Sequence, residues 1–346
     1  MEDLWRYIKE TKKPIALYGT GDGADKIMAK LEADGTLSKV QGVFASSGFV
    51  RDRSFKGFKV ESFESCRERL GDDLIVLMCF GSSRSEVLTN VDKIASQCEF
   101  YAPDVPVYGK NIFDKAFYEE HKPEITRVTA LLEDDLSVRT MVNTVTNKLT
   151  GSIAPLKECE TTQEEENSLI SLPEEATFVD LGAYNGDTVL KYTSLCPTIN
   201  KIYAVEPDKR NFRKLKENTS HIEGISYINA LISDTSGTTH IDISKGRGVH
   251  EAKEGGDIMS TTVDDILQGQ KANFIKFDVE GNEHKAILGA KESIKKYRPV
   301  MHIACYHRSE DIFDLPLEVL KIRSDYKVYM RHLPHVPGWD TAFIFV

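Results

Sequence analysis

Several features that would assign a chain to a common protein class are missing from this sequence. None of its six cysteines forms a C-x-x-C pair, and several stand inside apolar runs. We therefore expect free, buried thiols in a reducing compartment rather than disulfides or a zinc site. No stretch approaches ~20 consecutive apolar residues, so no membrane-spanning helix is expected. The N-terminus lacks a basic region followed by an apolar core, which differs from a signal peptide. These absences predict a cytoplasmic protein.

Long basic segments are missing as well. The formal net charge is −10, which argues against a nucleic acid or an anionic membrane as partner. No His, Asp and Glu residues show metal-ligand spacing along the chain, so no metal is expected, although spacing does not test residues distant in sequence. The chain does have 346 residues with 40% hydrophobic content, enough for two domain cores.

The first half of the chain alternates strand-like and helix-like segments. Strands are expected at 14–18, 40–44, 73–80 and 98–102, which predicts a small parallel α/β sheet. Residues 110–150 hold no β-like run, and their apolar residues recur at helical spacing, which predicts two or three helices. Residues 159–175 are polar and acidic and predict a solvated linker. The expected layout is an N-terminal Rossmann-like domain (1–109), a helical connector with an acidic linker (110–175) and a C-terminal domain (176–346).

The C-terminal domain is expected to contain seven strands. They are predicted at 177–180, 201–205, 225–230, 273–278, 300–304, 326–331 and 341–346. Helices between the first five suit right-handed parallel crossovers. The last two strands are joined by residues 333–340, too few for a crossover helix, so they should be antiparallel neighbours at one edge. This pattern is typical of a class I methyltransferase, a Rossmann-like α/β fold, rather than a six-stranded dehydrogenase.

A glycine turn after the first of these strands indicates a nucleotide site. Asp180 ends an apolar run, Gly182-x-x-x-Gly186 follows it, and Glu206-Pro207 ends the next strand. The glycines allow the backbone to approach a ligand closely, and the carboxylate of Glu206 can accept hydrogen bonds from both ribose hydroxyls. The pattern is not G-x-G-x-x-G, so an adenosyl group without phosphates, as in S-adenosylmethionine, fits better than a dinucleotide. A purely structural turn is the alternative, and the placement of Glu206 counts against it.

Acidic and histidine side chains follow later strands of the same sheet. Asp278 and Glu280 follow the fourth strand, where carboxylates face the ligand crevice or cap the next helix. His307 follows the fifth strand and could remove the proton of an acceptor hydroxyl, with a structural histidine as the alternative. His332 and His335 are weaker candidates for the same role.

Four motifs together resemble the FkbM family of S-adenosylmethionine-dependent methyltransferases. They are Val179-Asp-Leu-Gly-Ala-Tyr-Asn-Gly-Asp187, Glu206-Pro-Asp208, Ile275-Lys-Phe-Asp-Val-Glu-Gly281, and Tyr306-His307 followed by Glu310-Asp311. The resemblance covers about residues 177–346. It implies a Rossmann-like fold and methylation of hydroxyl oxygens of sugars or polyketide-type natural products.

The resemblance and the strand-end pattern together give the expected site. The cofactor-binding set is Asp180, Gly182, Tyr184, Gly186, Asp187, Thr188, Glu206, Pro207, Ala230 and Leu231. The catalytic set is Asp278, Glu280 and His307. His284 departs from the family, where an apolar residue is more usual.

We therefore expect O-methylation of a sugar, a glycan precursor or a related natural product, with a small-molecule or glycan acceptor. Gly19-Thr-Gly-Asp-Gly-Ala24 leaves two alternatives open. One is an NAD-dependent oxidoreductase, which the absence of an acid near Ala45 disfavours. The other is a non-catalytic nucleotide-binding scaffold. The N-terminal domain resembles small Rossmann-like domains of some sugar-modifying enzymes, and is expected to bind a sugar nucleotide weakly, form a homodimer or act as a scaffold.

Overall fold

The computed structural model describes residues 3–46, 50, 54–196, 198–242, 250–251 and 256–346. Its N-terminal part is an α/β unit around a sheet with strand order β3-β4-β2-β1-β5-β6. All neighbours in this sheet are parallel except the edge pair β3 and β4. The edge hairpin and α3 were not predicted. The elements are α1 (Leu4–Glu10), β1 (Ile15–Tyr18), α2 (Asp22–Ala33), β2 (Val40–Phe44), β3 (Ser54–Phe55), β4 (Phe58–Glu61), α3 (Phe63–Leu70), β5 (Ile75–Met78), α4 (Ser85–Ala95) and β6 (Glu99–Tyr101).

Helices connect this unit to the C-terminal part, as the apolar spacing predicts. They are α5 (Lys115–Thr129), α6 (Asp135–Thr150), α7 (Ala154–Lys157) and α8 (Gln163–Asn167). Asp114 and Asp134 cap α5 and α6 by accepting backbone N–H groups one turn on, at 3.0 and 2.7 Å. Gly151 ends α6 with φ 65°. The apolar faces of α5 and α6 pack into the core of the C-terminal sheet.

The C-terminal part is built on a sheet whose described strands follow the order β16-β17-β15-β14-β7-β8-β9. In this sheet the neighbouring strands β9, β8, β7, β14 and β15 are parallel. Strands β16 and β17 form an antiparallel edge hairpin, as the short connection predicts. The predicted α/β class is confirmed. The elements are β7 (Thr177–Leu181), α9 (Asp187–Leu195), β8 (Lys201–Val205), α10 (Lys209–Asn218), β9 (Ile225–Ile228), β10 (Leu231–Ile232), β11 (Gly237–Asp242), β12 (His250–Glu251), β13 (Gly256–Thr261), α11 (Val263–Leu267), β14 (Phe274–Phe277), α12 (Glu283–Leu288), α13 (Lys291–Tyr297), β15 (Val300–Ala304), α14 (Asp311–Ile322), β16 (Val328–His332) and β17 (Thr341–Phe345).

The connection between β9 and β14 contains the expected helix and also a small sheet that was not predicted. A second, small sheet with order β10-β13-β11-β12 lies there, and the helix α11 that follows it has five residues. Threonine and isoleucine are frequent in β11 and β13, and β-branched side chains favour extended backbone. Leu231 packs against Ile258 within this sheet.

The six cysteines are free, as expected, and four of them are buried. Among the helices that the structure describes, none is long and apolar enough to cross a membrane.

The expectation of a solvated acidic linker was wrong at Glu166. Thr162 and Glu165 form a capping box that starts α8, and this turns Glu166 inward, where 3% of its side chain is exposed. Glu166 pairs with His302 of β15 at 2.7 Å and with Lys191 of α9 at 3.5 Å. Burial alone would raise the pKa of Glu166, but these two partners outweigh it and lower the pKa to about 2.

Glu166→Gln should therefore destabilise the protein at neutral pH by roughly 3 kcal/mol, because a lowered carboxyl pKa stabilises the folded state. This stabilisation is present above the ordinary pKa of about 4.5 and is lost as pH falls toward 2. Urea denaturation of both proteins at pH 7 and at several values below 4.5 measures the difference, which should shrink with pH. Glu164→Gln, an exposed acid of the same helix outside the capping box, is the matched control. A constant difference across this range would contradict the assignment.

Candidate functional site

The site lies between β7 and β14, where the order in which the chain adds strands to the large sheet reverses. The chain runs from β7 outward through β8 and β9, then returns to place β14 on the other side of β7. The loops that leave β7 and β14 therefore part from each other, and ligands of open α/β sheets bind in the crevice formed there. Asp180 in β7 and Asp278 after β14 flank this crevice.

The turn after β7 fits closely against the end of β14. Gly182 has φ 81°, and a Cβ there would overlap the carbonyl oxygen of Asp278. Gly186 has φ 91° and precedes α9, and a Cβ there would lie 2.6 Å from Thr219 Cγ2. Tyr184, between them, has φ 44° and is exposed. Both glycines are required by positive φ and by close packing, which leaves the turn's backbone facing the crevice.

The first turn of α9 also belongs to the predicted cofactor set. Asp187 is exposed and Thr188 is half-buried. The backbone N–H of Thr188 donates to Asp187 Oδ1 at 2.8 Å. A carboxylate at a helix N-terminus is stabilised by the helix dipole, so this geometry by itself has a structural explanation.

Glu206 joins the turns that follow β7 and β8. Its carboxylate accepts backbone N–H groups of Tyr184 at 3.0 Å and Asp208 at 2.8 Å. Burial raises its pKa to about 7, although both hydrogen bonds oppose the rise. Asn229 donates to the carbonyl oxygens of Glu206 and Pro207 and holds the end of β9 against them.

Ala230 and Leu231 follow Asn229 and are both buried. Leu231 directs its side chain to Ile258 of the small sheet. These two residues therefore supply backbone rather than an exposed apolar surface near Glu206.

A buried lysine, missed in the sequence, lies between the two flanking carboxylates. Lys276 Nζ is 3.7 Å from Asp180 Oδ1 and 3.1 Å from Asp278 Oδ2. Burial would lower the pKa of Lys276, but the two carboxylates outweigh it and raise the pKa. Burial raises the pKa of Asp180 to about 6, with Lys276 opposing. Neither oxygen of Asp180 accepts a hydrogen bond from any described residue. Alternation along β14 could have revealed Lys276, because it lies two residues before Asp278.

His307 is surrounded by three carboxylates. Only 1% of its side chain is exposed, and its Nδ1 is 3.0 Å from Glu283 Oε1. Its Nε2 is 3.6 Å from Asp278 Oδ1 and 3.6 Å from Glu280 Oε2. Burial would lower the pKa of His307, but Glu283 and the other carboxylates outweigh it and raise the pKa to about 10. An imidazolium at neutral pH cannot accept a proton, which argues against the expected role of His307 as general base.

The carboxylates around His307 titrate differently. Burial would raise the pKa of Asp278, but Lys276 and His307 outweigh it and lower the pKa. Burial and then Glu283 raise the pKa of Asp311 to about 8. Asp278 is therefore the ionised carboxylate that faces the crevice, and Tyr306 donates its hydroxyl proton to it at 3.3 Å.

The other two candidate histidines are buried elsewhere on the edge hairpin. Burial lowers the pKa of His332 to about 4, and its Nδ1 is 2.9 Å from Thr341 Oγ1. His335 Nδ1 is 2.9 Å from the carbonyl oxygen of Pro337. His284, the departure from the family, is 40% exposed beside Asp314 and Glu318.

The segment after β6 covers the side of the crevice next to the end of β14. A Cβ at Gly281, which has φ 94°, would lie 2.7 Å from Tyr108 Cβ. The Arg308 guanidinium stacks 4.4 Å from the Tyr108 ring and donates to the carbonyl oxygen of Gly281 at 2.7 Å. Glu283 could have been found from the D-x-E-G-x-E spacing, whereas no sequence signal marks Tyr108.

The N-terminal glycine turn has a packing explanation. A Cβ at Gly19 would lie 2.7 Å from the Phe80 ring, and one at Gly23 would overlap the carbonyl oxygen of Cys79. These glycines are required for α2 to pack against β5. The position after β2 where a dinucleotide site has a ribose-binding acidic residue is occupied by the buried Ala45.

Comparison with known proteins identifies relatives of the C-terminal part. Residues 180–327 match the family model described as methyltransferase FkbM domain. The hexuronic acid methyltransferase AglP of Haloferax volcanii is 26% identical over 172 residues, which covers 47% of this chain and 70% of that protein. The predicted FkbM resemblance is confirmed over this region.

The fold of nearly the whole chain also has a solved counterpart. The crystal structure of methyltransferase FkbM from Methylobacillus flagellatus KT matches with a TM-score of 0.73 and 19% identity, over 99% of this chain and 92% of that chain. Fibrillarin from Aeropyrum pernix, with natively bound S-adenosyl-L-methionine, matches 53% of this chain at 17% identity with a TM-score of 0.34.

Gly182→Ala should destabilise the protein by more than ~4 kcal/mol, because the added methyl group overlaps the β14 end and the backbone has positive φ. Gly269→Ala is the matched control, since Gly269 has φ 78° but open space around its Cβ position. This control should cost only about 1–2 kcal/mol. Urea denaturation of both variants compares them, and equal losses would contradict the close packing described for Gly182.

Proposed function

We propose that this chain, whose residues 180–327 match the methyltransferase FkbM domain, transfers a methyl group from S-adenosylmethionine to a hydroxyl oxygen of a sugar or glycan precursor. One observation carries the proposal. The Gly182–Gly186 turn and Glu206 form one face of the crevice, and Asp278, Glu280 and His307 form the other. The order of the large sheet, with its antiparallel edge hairpin, supports a class I methyltransferase domain within the three-part layout expected from the sequence.

The residues of the turn fit S-adenosylmethionine. Glu206 lies at the end of the second strand, where a carboxylate can accept ribose hydroxyls. Asp180 is fully buried, and both of its oxygens lack hydrogen bonds from described residues. A buried carboxylate with unused acceptor capacity suits a cationic ligand such as the ammonium group of the cofactor. The backbone at Ala230 and Leu231 borders the expected adenine side.

The acceptor side supplies a base and a fixed geometry. When bound, S-adenosylmethionine supplies the methyl carbon, whose bond to sulfur breaks as the bond to the acceptor oxygen forms. Asp278 takes the proton that the acceptor hydroxyl loses, because it is ionised and faces the crevice. Lys276 and Tyr306 fix the orientation of Asp278 through contacts at 3.1 and 3.3 Å. Glu280, which is 39% exposed, borders the acceptor, and the buried His307 orients Asp278 and Glu280 rather than removing a proton.

A sugar acceptor is supported by the relative from Haloferax volcanii, which is described as acting on hexuronic acid. Carboxylates such as Asp278 and Glu280 accept hydrogen bonds from sugar hydroxyls. The packing of the N-terminal glycine turn supports a scaffold role for that domain and gives no support to an NAD-dependent oxidoreductase.

Titration calorimetry on the full chain should show one S-adenosylmethionine site, and Glu206→Gln should weaken binding by roughly 1–3 kcal/mol, the cost of a lost charged hydrogen bond. Because the pKa of Glu206 is about 7, its carboxylate is mostly ionised at pH 8 and mostly protonated at pH 6. Wild-type affinity should therefore fall between pH 8 and pH 6, and the fall should be smaller in Glu206→Gln. Glu217→Gln on α10 is the control. Unchanged affinity in Glu206→Gln would remove the ribose assignment.

Asp278→Asn should bind S-adenosylmethionine but lose methyl transfer by about 10²–10⁴-fold, the usual contribution of a positioned base. The assay uses cofactor with a radiolabelled methyl group and a panel of sugar nucleotides and glycans. Asp314→Asn, an exposed acid on α14, should retain activity. Full transfer by Asp278→Asn would exclude this carboxylate as the base.

A further inference from the structure

Three donor side chains converge on the acceptor side although they are distant in sequence. One ligand atom each of Asp278, Glu283 and His307 lie within 4.8 Å of one another. They follow β14, begin α12 and follow β15, so the fold alone brings them together. Lys276 contacts Asp278 Oδ2 at 3.1 Å, while Asp278 Oδ1 accepts the Tyr306 hydroxyl at 3.3 Å and lies 3.6 Å from His307 Nε2.

The buried atoms between His307 and Glu283 are incompletely satisfied. Nδ1 of His307 and Oε1 of Glu283 are 3.0 Å apart, but Nδ1 has no hydrogen-bond partner among the described residues, and neither has Glu283 Oε2. Both side chains are 1% exposed. A buried polar atom without a partner is costly, and a bound ion is one physical explanation for it.

The spacing of one pair of these atoms, His307 Nδ1 and Glu283 Oε1, suits two ligands of one ion, and Asp278 lies within 4.8 Å of them. With metal–ligand bonds of about 2.1 Å, two donors on the same ion lie roughly 3.0 Å apart at right angles and roughly 3.4 Å apart in a tetrahedron. The 3.0 Å between Nδ1 and Oε1 matches the first arrangement.

We propose that Asp278, Glu283 and His307 bind a divalent transition-metal cation such as Mn²⁺. An imidazole with two carboxylates suits this class, whereas Ca²⁺ and Mg²⁺ favour sites made of oxygen ligands alone. The cation takes the place of a proton on His307. Glu280 lies 3.6 Å from His307 Nε2, at the more exposed rim of the cluster.

The role of the cation rests on the function proposed above. Asp278, which is 29% exposed, is the ligand on the crevice side, so a hydroxyl or carboxylate oxygen of the acceptor would reach the cation beside it. With the cation bound, Asp278 holds the ion, and the ion lowers the pKa of the acceptor hydroxyl in place of proton removal by Asp278. The cation would also offset the negative charge of Asp278, Glu280 and Glu283, which otherwise repels an acidic sugar. Binding of the cation itself requires neither cofactor nor acceptor.

The test is a titration of the chelator-treated full chain with Mn²⁺, followed by the electron paramagnetic resonance signal of free Mn²⁺. We expect saturable binding of one ion per chain. Asp278→Asn, Glu283→Gln and His307→Gln should each weaken it at least ~10-fold. His284→Gln is the matched control, because His284 also lies near two carboxylates, at 3.5 and 3.8 Å, but is 40% exposed. This control should bind Mn²⁺ as the wild type does.

S-adenosylmethionine binding by each variant reports whether it folds. If His307→Gln does not fold, the wild-type titration and Glu283→Gln decide. Absence of saturable Mn²⁺ binding would overturn the proposal, as would loss of binding in His284→Gln but not in the three cluster variants. Methyl transfer that disappears on chelation and returns with Mn²⁺, while cofactor binding persists, would support the role of the ion. Equal transfer after chelation would refute that role but not the proposed methyl transfer.

Discussion

The ion pair of Lys276 with Asp180 and Asp278 is the constraint on which the crevice depends. Two carboxylates flank the switch point of the sheet, and burial without a cation would favour protonation of both. Lys276 comes from β14, whose register pairs it with Asp180 on β7. Its contact at 3.1 Å holds Asp278 ionised, whereas Asp180, at 3.7 Å, has a pKa of about 6. One lysine thus gives the carboxyl groups on the two walls of the crevice different pKa values.

A second buried ion pair lies next to Lys276 in the sheet. Across the sheet from Lys276 lies His302 of β15, which pairs with Glu166. Glu166 comes from α8, outside the domain that binds the cofactor in our proposal. The buried pair therefore anchors the connector to the sheet next to the strands that carry the site. A surface linker would give β7 and β14 no such support on this face.

The sequence predicts best the parts of the molecule that follow local rules. Alternating strands and helices, the positive-φ glycines at 182 and 186, and the acids at strand ends are local patterns, and the α/β class follows from them. The small sheet was missed because β11 and β13 mix apolar with polar residues and each begins with glycine, so neither forms an apolar run. Glu166 was misread because a run of acids indicates exposure, and only the capping box of α8 turns one of them inward. Lys276 and Glu283 lie in and beside the motif that ends β14, and its spacing could have indicated them, whereas Tyr108 reaches the site through tertiary packing that no spacing predicts.

The N-terminal domain contributes to the crevice through contacts rather than through its own glycine turn. Ser82 and Val336 exchange backbone hydrogen bonds at 2.9 and 3.1 Å, which tie the loop after β5 to the edge hairpin. Trp339 of that hairpin packs over Gly81 and lies 6.4 Å from the Tyr306 ring, centre to centre. Since Tyr306 donates to Asp278, this chain of contacts reaches the proposed base. The N-terminal domain is therefore best explained as a support for the side of the crevice that carries Asp278.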